Sequence, residues 1–312
     1  MCVREVGHRQ PTRDADDRIG ERSGVGDGPA DGGRGDPERY SRRQESEGMS
    51  QGTGSLKTVE RAFDVVDVLG RLGSAGPAAV ADELDVTRST AHDYLVSLAE
   101  AGYVSREDGT YRLGYRFLQR GSRVKYGEQF FRASRAPLAD LASETGEIAQ
   151  IGVEEAGEWV LVHAEHERRL ACMGPYPGMR TPLHTHAGGK VLLASLPEAR
   201  RDRLLADPLA CRTEQTTTDA GALRRELERI AEDGYATDAD EQSVGIGFVA
   251  CPVTFDGTVL GSVSVACPSG RLKRPGYCGE LEGQLNAIAD EISINYRELQ
   301  HREMSRDPYQ FE

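Results

Sequence analysis

Residues 77–102 read PAAVADELDVTRSTAHDYLVSLAEAG, and this stretch decides the fold. Its spacing predicts two short helices joined by a tight turn. Val80 and Leu84 share one face of the first. Asp85-Val86-Thr87 makes the turn with Val86 inward, and Thr87 is placed to cap the second helix with its hydroxyl. Ala91, Leu95 and Leu98 then recur at i, i+4 and i+7, the inner stripe of an amphipathic helix. Arg88, Ser89, Thr90, His92 and Asp93 stand near the start of that helix, where a helix-turn-helix enters the major groove of DNA. An ordinary helical hairpin has the same periodicity, so the flanking residues must discriminate.

Downstream, YVSREDGTYRLG (103–114) holds two strand-like runs around Asp108-Gly109. An Asp-Gly pair suits a type I′ hairpin, which needs positive φ at both positions. A helix-turn-helix followed by a hairpin is a winged helix. Arg106 and Arg112 lie on the wing, within reach of phosphates or the minor groove. Upstream, a helix from Lys57 to Leu72 offers Phe63, Val66 and Leu69 to pack beneath the motif.

The chain has 312 residues and a formal net charge of −13, enough length for two domains. Residues 1–56 carry 9 basic and 11 acidic residues, 57–125 carry 10 and 10, and 126–312 carry 19 and 30. The neutral segment is the one expected to touch DNA, and the acidic remainder repels phosphate. Only four residues are lysine (Lys57, Lys125, Lys190, Lys273). That balance suits a halophilic cytoplasm. An arginine-rich, high-GC genome without halophily gives a similar composition. The six cysteines (Cys2, Cys172, Cys211, Cys251, Cys267, Cys278) form no CxxC pair, as in a reduced cytoplasm. No apolar run approaches the roughly 20 residues that span a bilayer, so no membrane partner is expected.

Residues 1–48 have almost no large apolar side chains, and 1–54 are expected to be a disordered extension. Met49 reads as a start codon, with upstream frame before it; a flexible arm carrying Arg42-Arg43 to DNA is the alternative. The winged helix spans 55–114 and a linker helix 115–127, carrying Arg116, Arg120, Arg123 and Lys125. A second domain spans 128–303, and 304–312 form a flexible tail. In that domain, strands are expected at 147–153 and 159–164, and a further one at 170–173. Helices are expected at about 187–196, from Pro197, and at 219–233, the last with Leu223, Leu227 and Ile230 inward. A hairpin turns at Asp256-Gly257 between 246–255 and 259–266, and a last helix runs from about 279 to 304. The fold class is α+β: an N-terminal winged helix-turn-helix plus a C-terminal GAF-like domain with an antiparallel sheet.

These segments together resemble the IclR family of transcriptional regulators. The likeness rests on ERAFDVVDVL (60–69), TRSTAHDYLVSLAEAGYV (87–104), YRLGYRFLQRG (111–121), HTHAGGKVLLASLP (184–197), EDGYATDADEQSVGIGFVACPV (232–253) and GTVLGSVSVACPSGRL (257–272). The resemblance implies operator binding by the first domain. It implies binding of a small effector, usually a small organic acid or aromatic metabolite, by the second. It also implies a homodimer or dimer of dimers. The pocket it implies is lined by Ala187, Gly188 and Gly189, by Asp240, Glu241, Gly247 and Phe248, and by Ser262 and Ser264. Glycines and backbone N–H groups at a helix start suit an anion, and strand hydroxyls can orient it. Phe248 stands where the family often has a small or polar residue, which favours an apolar effector or a smaller pocket.

Each of these residues has a plainer use: a glycine pair for a turn, serines on a strand face, a solvated acidic loop. His184-Thr185-His186 could bind zinc if a third ligand converged, but a pair of polar loop histidines is the simpler reading, and no metal or cofactor is expected. No GxSxG, HExxH or phosphate loop is present, since Gly189-Lys190 lacks the flanking residues of one. An enzyme is therefore not expected. The rival is a metal-binding or enzymatic sensor-like protein that uses its winged helix only for dimerisation.

Overall fold

The computed structural model describes residues 56–166 and 175–304. The extension at 1–54, Met49, the strand expected at 170–173 and the tail beyond 304 lie outside the described residues.

The first domain contains α1 (Lys57–Leu72), α2 (Pro77–Leu84), α3 (Arg88–Glu100), β1 (Val104–Glu107) and β2 (Thr110–Leu113). Pro77 opens α2, where its missing N–H is no loss. Asp85 ends α2 in the left-handed region (φ 50°), which Asp tolerates better than most residues. Thr87 Oγ1 accepts from the Thr90 N–H at 3.1 Å and caps α3. Val65, Val68 and Leu69 of α1, Val80 and Ala81 of α2, Ala91 and Leu95 of α3, and Val104 and Tyr111 of the hairpin form one apolar core. In the wing turn Asp108 (φ 48°) and Gly109 (φ 79°) are both positive, as type I′ requires. Ala75 adds a third strand-like pairing, its N–H and C=O bonded to Tyr111 at 2.9 and 2.8 Å.

One expectation is corrected. Phe63 does not pack under the motif; it is 59% exposed. The inward stripe of α1 is Val65, Val68 and Leu69, at i, i+3 and i+4. Phe63 precedes Val65 by two residues, about 200° around the helix, and so faces outward.

Next come α4 (Arg116–Gly127), α5 (Gln129–Thr145), β3 (Ile148–Glu155), β4 (Glu158–Glu165), β5 (Arg180–Pro182) and a 3₁₀ turn at Leu183–Thr185. They are followed by α6 (Ala187–Ser195), α7 (Glu198–Leu204), α8 (Ala220–Asp233), β6 (Ala236–Ala239), β7 (Ile246–Phe255), β8 (Thr258–Pro268), α9 (Ser269–Leu272) and α10 (Tyr277–Met304). The strands form one six-stranded sheet in the order β5-β4-β3-β8-β7-β6, antiparallel throughout. This agrees with the α+β expectation. Strands β5 and β6 are short edge strands that the sequence pattern does not predict.

Side chains alternate across a sheet, so each strand serves two cores. Ile151, Val249, Cys251, Val263 and Val265 face α5 and α10, where Leu138, Leu141, Leu281, Leu285 and Ile292 meet them. Trp159, Leu161, Phe248, Ala250 and Ala266 face α6 and α8, with Val191, Leu223 and Leu227. Burying one such aliphatic side chain contributes about 1.5–3 kcal/mol. Two cores on one sheet therefore fix its register firmly, since a one-residue slip would exchange them. The second face also carries polar groups, and they make the candidate site.

Candidate functional site

Two sets of residues carry chemistry. The first lies on α3 and the wing. Arg88, Ser89 and His92 are exposed in the first turns of α3. Ser89 Oγ lies 3.0 Å from Thr87 Oγ1. Thr90 is drawn into the cap: its hydroxyl is 2.8 Å from Thr87 Oγ1 and the side chain is half-buried, so it shapes the helix start. The positive end of the helix dipole adds to the attraction for phosphate here. On the wing, Arg106 lies 5.6 Å from the Tyr111 ring centre and Arg112 lies 5.9 Å from that of Tyr115. Arg106 is opposite Tyr111 and Ser105 is opposite Arg112. The two arginines therefore occupy opposite faces of the hairpin.

The second set lies where α6 begins, against the sheet. His186 caps α6: its Nδ1 accepts from the Gly189 N–H at 3.3 Å. The proton of the neutral ring then sits on Nε2, which donates to Thr181 Oγ1 at 2.9 Å. Burial, with Lys190 and His184 adding to it, lowers the His186 pKa to about 3, so the ring is neutral. It stands edge-on to Trp159 at 4.5 Å and 5.4 Å from the Phe248 ring. Trp159 lies flat over Gly152, where a Cβ would come within 2.0 Å of the indole. Its Nε1–H donates to Ser262 Oγ at 2.9 Å.

Asp238 closes the other side. Its Oδ2 accepts from the Ala187 N–H at 3.0 Å, while Oδ1 is buried with no hydrogen-bond partner. Burial raises its pKa to about 7, with Glu241 adding to the rise and the Ala187 bond and Lys190 opposing it. Ser264 Oγ is likewise buried and unpartnered. Orphaned buried polar atoms are rare in native proteins and call for an explanation. Ser264 pairs with Ala250, whose other neighbour is Ala236; Asp238, two residues further along β6, pairs with Phe248. The two orphans thus flank the Phe248–Ala250 stretch of one sheet face, beside the three rings.

The sequence-predicted residues divide in two. Ala187, Gly188, Phe248, Ser262 and Ser264 converge on this face. Gly188 lies hard against the rings, since a Cβ there would come within 3.1 Å of His186 and 3.2 Å of Trp159. Gly189, Gly247, Asp240 and Glu241 serve other contacts. A Cβ on Gly189 would come within 2.2 Å of the Leu183 carbonyl, and one on Gly247 within 2.4 Å of Leu272. Asp240 (φ 68°) closes a loop, its Oδ1 accepting from the Gly245 N–H at 2.6 Å. Glu241 forms an ion pair with Lys190 at 2.6 Å, and Glu226 pairs with the same fully buried ammonium at 2.6 Å. The start of α6 is no open anion cradle either. The Asp238 carboxylate and the His186 ring take the N–H groups of Ala187 and Gly189.

The sequence reading missed Trp159, His186 and Asp238 as site residues. Trp159 is the sole tryptophan of the chain, a signal in itself. His184 and His186 do not act as a pair. His184 Nε2 lies 2.9 Å from the Ala210 carbonyl, and burial lowers its pKa too. Among the described residues no group of three His, Cys, Asp or Glu could hold a metal ion.

Residues 58–108 match the model of the IclR helix-turn-helix domain, and 127–294 that of the bacterial transcriptional regulator IclR C-terminal domain. The chain is 30% identical over 248 residues to the probable HTH-type transcriptional regulator ArcR of Halobacterium salinarum, covering 77% of this chain and 93% of the relative. It is 30% identical over 257 residues to the HTH-type transcriptional regulator BhcR of Paracoccus denitrificans, covering 80% and 88%. The crystal structure of the Thermotoga maritima IclR protein matches with a TM-score of 0.66 at 28% identity, over 78% of this chain and 99% of that one. No helix of the described residues is long and apolar enough to cross a membrane.

Proposed function

The chain belongs to the IclR family of transcriptional regulators, and on that premise we propose which residues read DNA and which meet the effector. It is a DNA-binding regulator with a C-terminal effector-binding domain. Arg88, Ser89 and His92 read base edges in the major groove, with Thr90 holding the turn that presents them. Arg106 and Arg112, one on each face of the wing, contact the backbone on either side of the groove the wing enters. The capped first turn of α3, with three exposed polar side chains beside a wing, is the observation that carries this reading.

Two copies meet a pseudo-palindromic operator. None of the residues of α4 is buried within one chain, and Leu118 and Val124 are 66% and 76% exposed. A second copy covering this helix accounts for them. The effector is a small organic acid or aromatic metabolite that stacks among Trp159, His186 and Phe248. It gives Asp238 Oδ1 and Ser264 Oγ the hydrogen bonds they lack. Effector binding then shifts the population between two arrangements of the paired readers.

The protein works in the cytoplasm. Its acidic, lysine-poor composition suits concentrated salt, which a relative in Halobacterium salinarum supports. Folding in multimolar KCl with loss of structure at low salt is the expected behaviour; full stability at low salt argues against it. To test the effector site, a panel of organic acids and aromatic metabolites is titrated against Trp159 emission in the wild type and in Gly188→Val. A compound that changes the emission of the wild type and not of the variant supports the site. A compound that binds both equally places the effector elsewhere.

A further inference from the structure

Strand β4 carries a bulge whose effect reaches the linker helix. Gly152 of β3 pairs with Leu161, but Ile151 pairs with His163, so Val162 is an extra residue in β4. The extra residue reverses the alternation of side chains. Trp159 and Leu161 face the effector site, whereas His163, opposite Ile151, faces the α5 side. Bulges re-aim side chains and sit next to functional sites more often than chance predicts.

Re-aimed in this way, His163 meets α4. Lys125 Nζ donates to His163 Nδ1 at 2.9 Å. The ring is then the neutral tautomer with its proton on Nε2, and Nε2 lies 2.8 Å from Glu165 Oε1. Phe131 of α5 frames the contact. Its ring stands edge-on to His163 at 5.2 Å and lies 4.6 Å from the Lys125 ammonium. The charged groups around the imidazole are Lys125 from α4, Glu165 from β4 itself and Arg135 from α5. Burial and Lys125 keep the imidazole below its usual pKa, and Glu165 opposes them. A proton on Nδ1 would point a donor at an ammonium and end the bond.

We propose that the Lys125–His163 hydrogen bond is the joint that passes the state of the effector site, through the bulge of β4, to the linker helix and so to the reading domain. The inference rests on the assignment of Trp159 to the effector site. His163 is a positioning residue: it touches neither DNA nor effector. One strand thus carries Trp159 on one face and the linker's anchor on the other, and a shift of β4 under Trp159 moves both. Coupling between two sites is reciprocal, so DNA bound at the reader must be felt at Trp159. That permits a test without a known effector.

The probe is a duplex recovered by the full-length protein from a random pool, and the readout is emission from Trp159, the sole tryptophan. In the wild type near neutral pH, adding the duplex is expected to change the emission. The change is expected to disappear in Lys125→Met and His163→Leu, while both still bind the duplex. In His163→Asn, whose amide oxygen can take the place of Nδ1 as acceptor but cannot titrate, it is expected to persist. Lowering the pH well below the free-imidazole value of about 6.5 should abolish it in the wild type and spare it in His163→Asn. A residue that only holds the fold would not give that pH and variant pattern. An unchanged emission response in Lys125→Met and His163→Leu overturns the proposal, as does a wild type that binds the duplex with no response at Trp159. Failure to recover any duplex instead removes the operator reading on which the test stands.

Discussion

Replacing Lys190 by Met tests how the effector site is braced. The ammonium is fully buried on α6, with Glu226 of α8 and Glu241 of the β6–β7 loop each 2.6 Å away. At an effective dielectric of about 20, a unit pair at ~3 Å attracts by roughly 5–6 kcal/mol before desolvation is counted. Desolvation cancels much of that in the intact group. The loss on removing one partner is larger than the net value of the pair, because a buried charge is left unpaired. Breaking such a pair costs about 3–5 kcal/mol.

Lys190→Met leaves two carboxylates facing each other. Burial already pushes Glu241 up, and Lys190 is the main group holding it down. In the variant, Glu241 therefore binds a proton more readily, and the deficit shrinks in acid. Denaturant unfolding of the full chain, followed by Trp159 emission, reports the effector domain selectively. A loss of about 3–5 kcal/mol is expected near pH 8, and a clearly smaller loss near pH 5. A deficit below about 1 kcal/mol, or one equal at both pH values, refutes the idea that a buried ion group braces α6.

Three further outcomes are expected. Arg88→Ala lowers affinity for the recovered duplex by about 1–3 kcal/mol, roughly fivefold to more than a hundredfold, and relaxes base preference at one position; unchanged selectivity removes Arg88 from the base-reading set. Thr87→Ala loses the cap of α3 and about 1 kcal/mol of stability, visible as faster amide exchange at the start of α3; unaltered exchange there contradicts the capping role. Asp238 holds its proton up to about pH 7 in the fold against 3.8 outside it. The folded chain therefore binds more protons between those values, and stability falls as pH rises through the window. Asp238→Asn is expected to remove that slope and to be more stable than the wild type above pH 7, by on the order of 2–4 kcal/mol. Parallel stability profiles for the two proteins rule out the buried proton.

The reading domain was legible because its signals are local. A cap, a left-handed Asp and an Asp-Gly turn each act within four residues of chain, and Ala91 and Leu95 needed only helical spacing. Phe63 was misread because α1 is apolar on more than one side, and only the packed partner chooses the face. In the effector domain, Leu223, Leu227 and Ile230 with the stop at Gly234 were plain from periodicity. The short edge strands β5 and β6 were not, since three or four residues establish no alternation. Asp238 followed the fate of β6. In sequence it is one acidic residue in ATDADE, and its burial comes from β7 and the start of α6. Trp159 and Gly152 likewise meet only through strand pairing. The bulge at Val162 has no mark in the local sequence at all, so the Lys125–His163 contact could not be read from it.

The most direct measurement is recovery of duplexes from a random pool, and from the DNA upstream of its own gene, by the full-length protein in multimolar KCl, with Arg88→Ala as the control. Enrichment of a two-fold related motif by the wild type, lost or blurred by Arg88→Ala, is the expected result. Recovery of sequence with no preferred motif by either protein contradicts the assignment of α3 as an operator-reading helix.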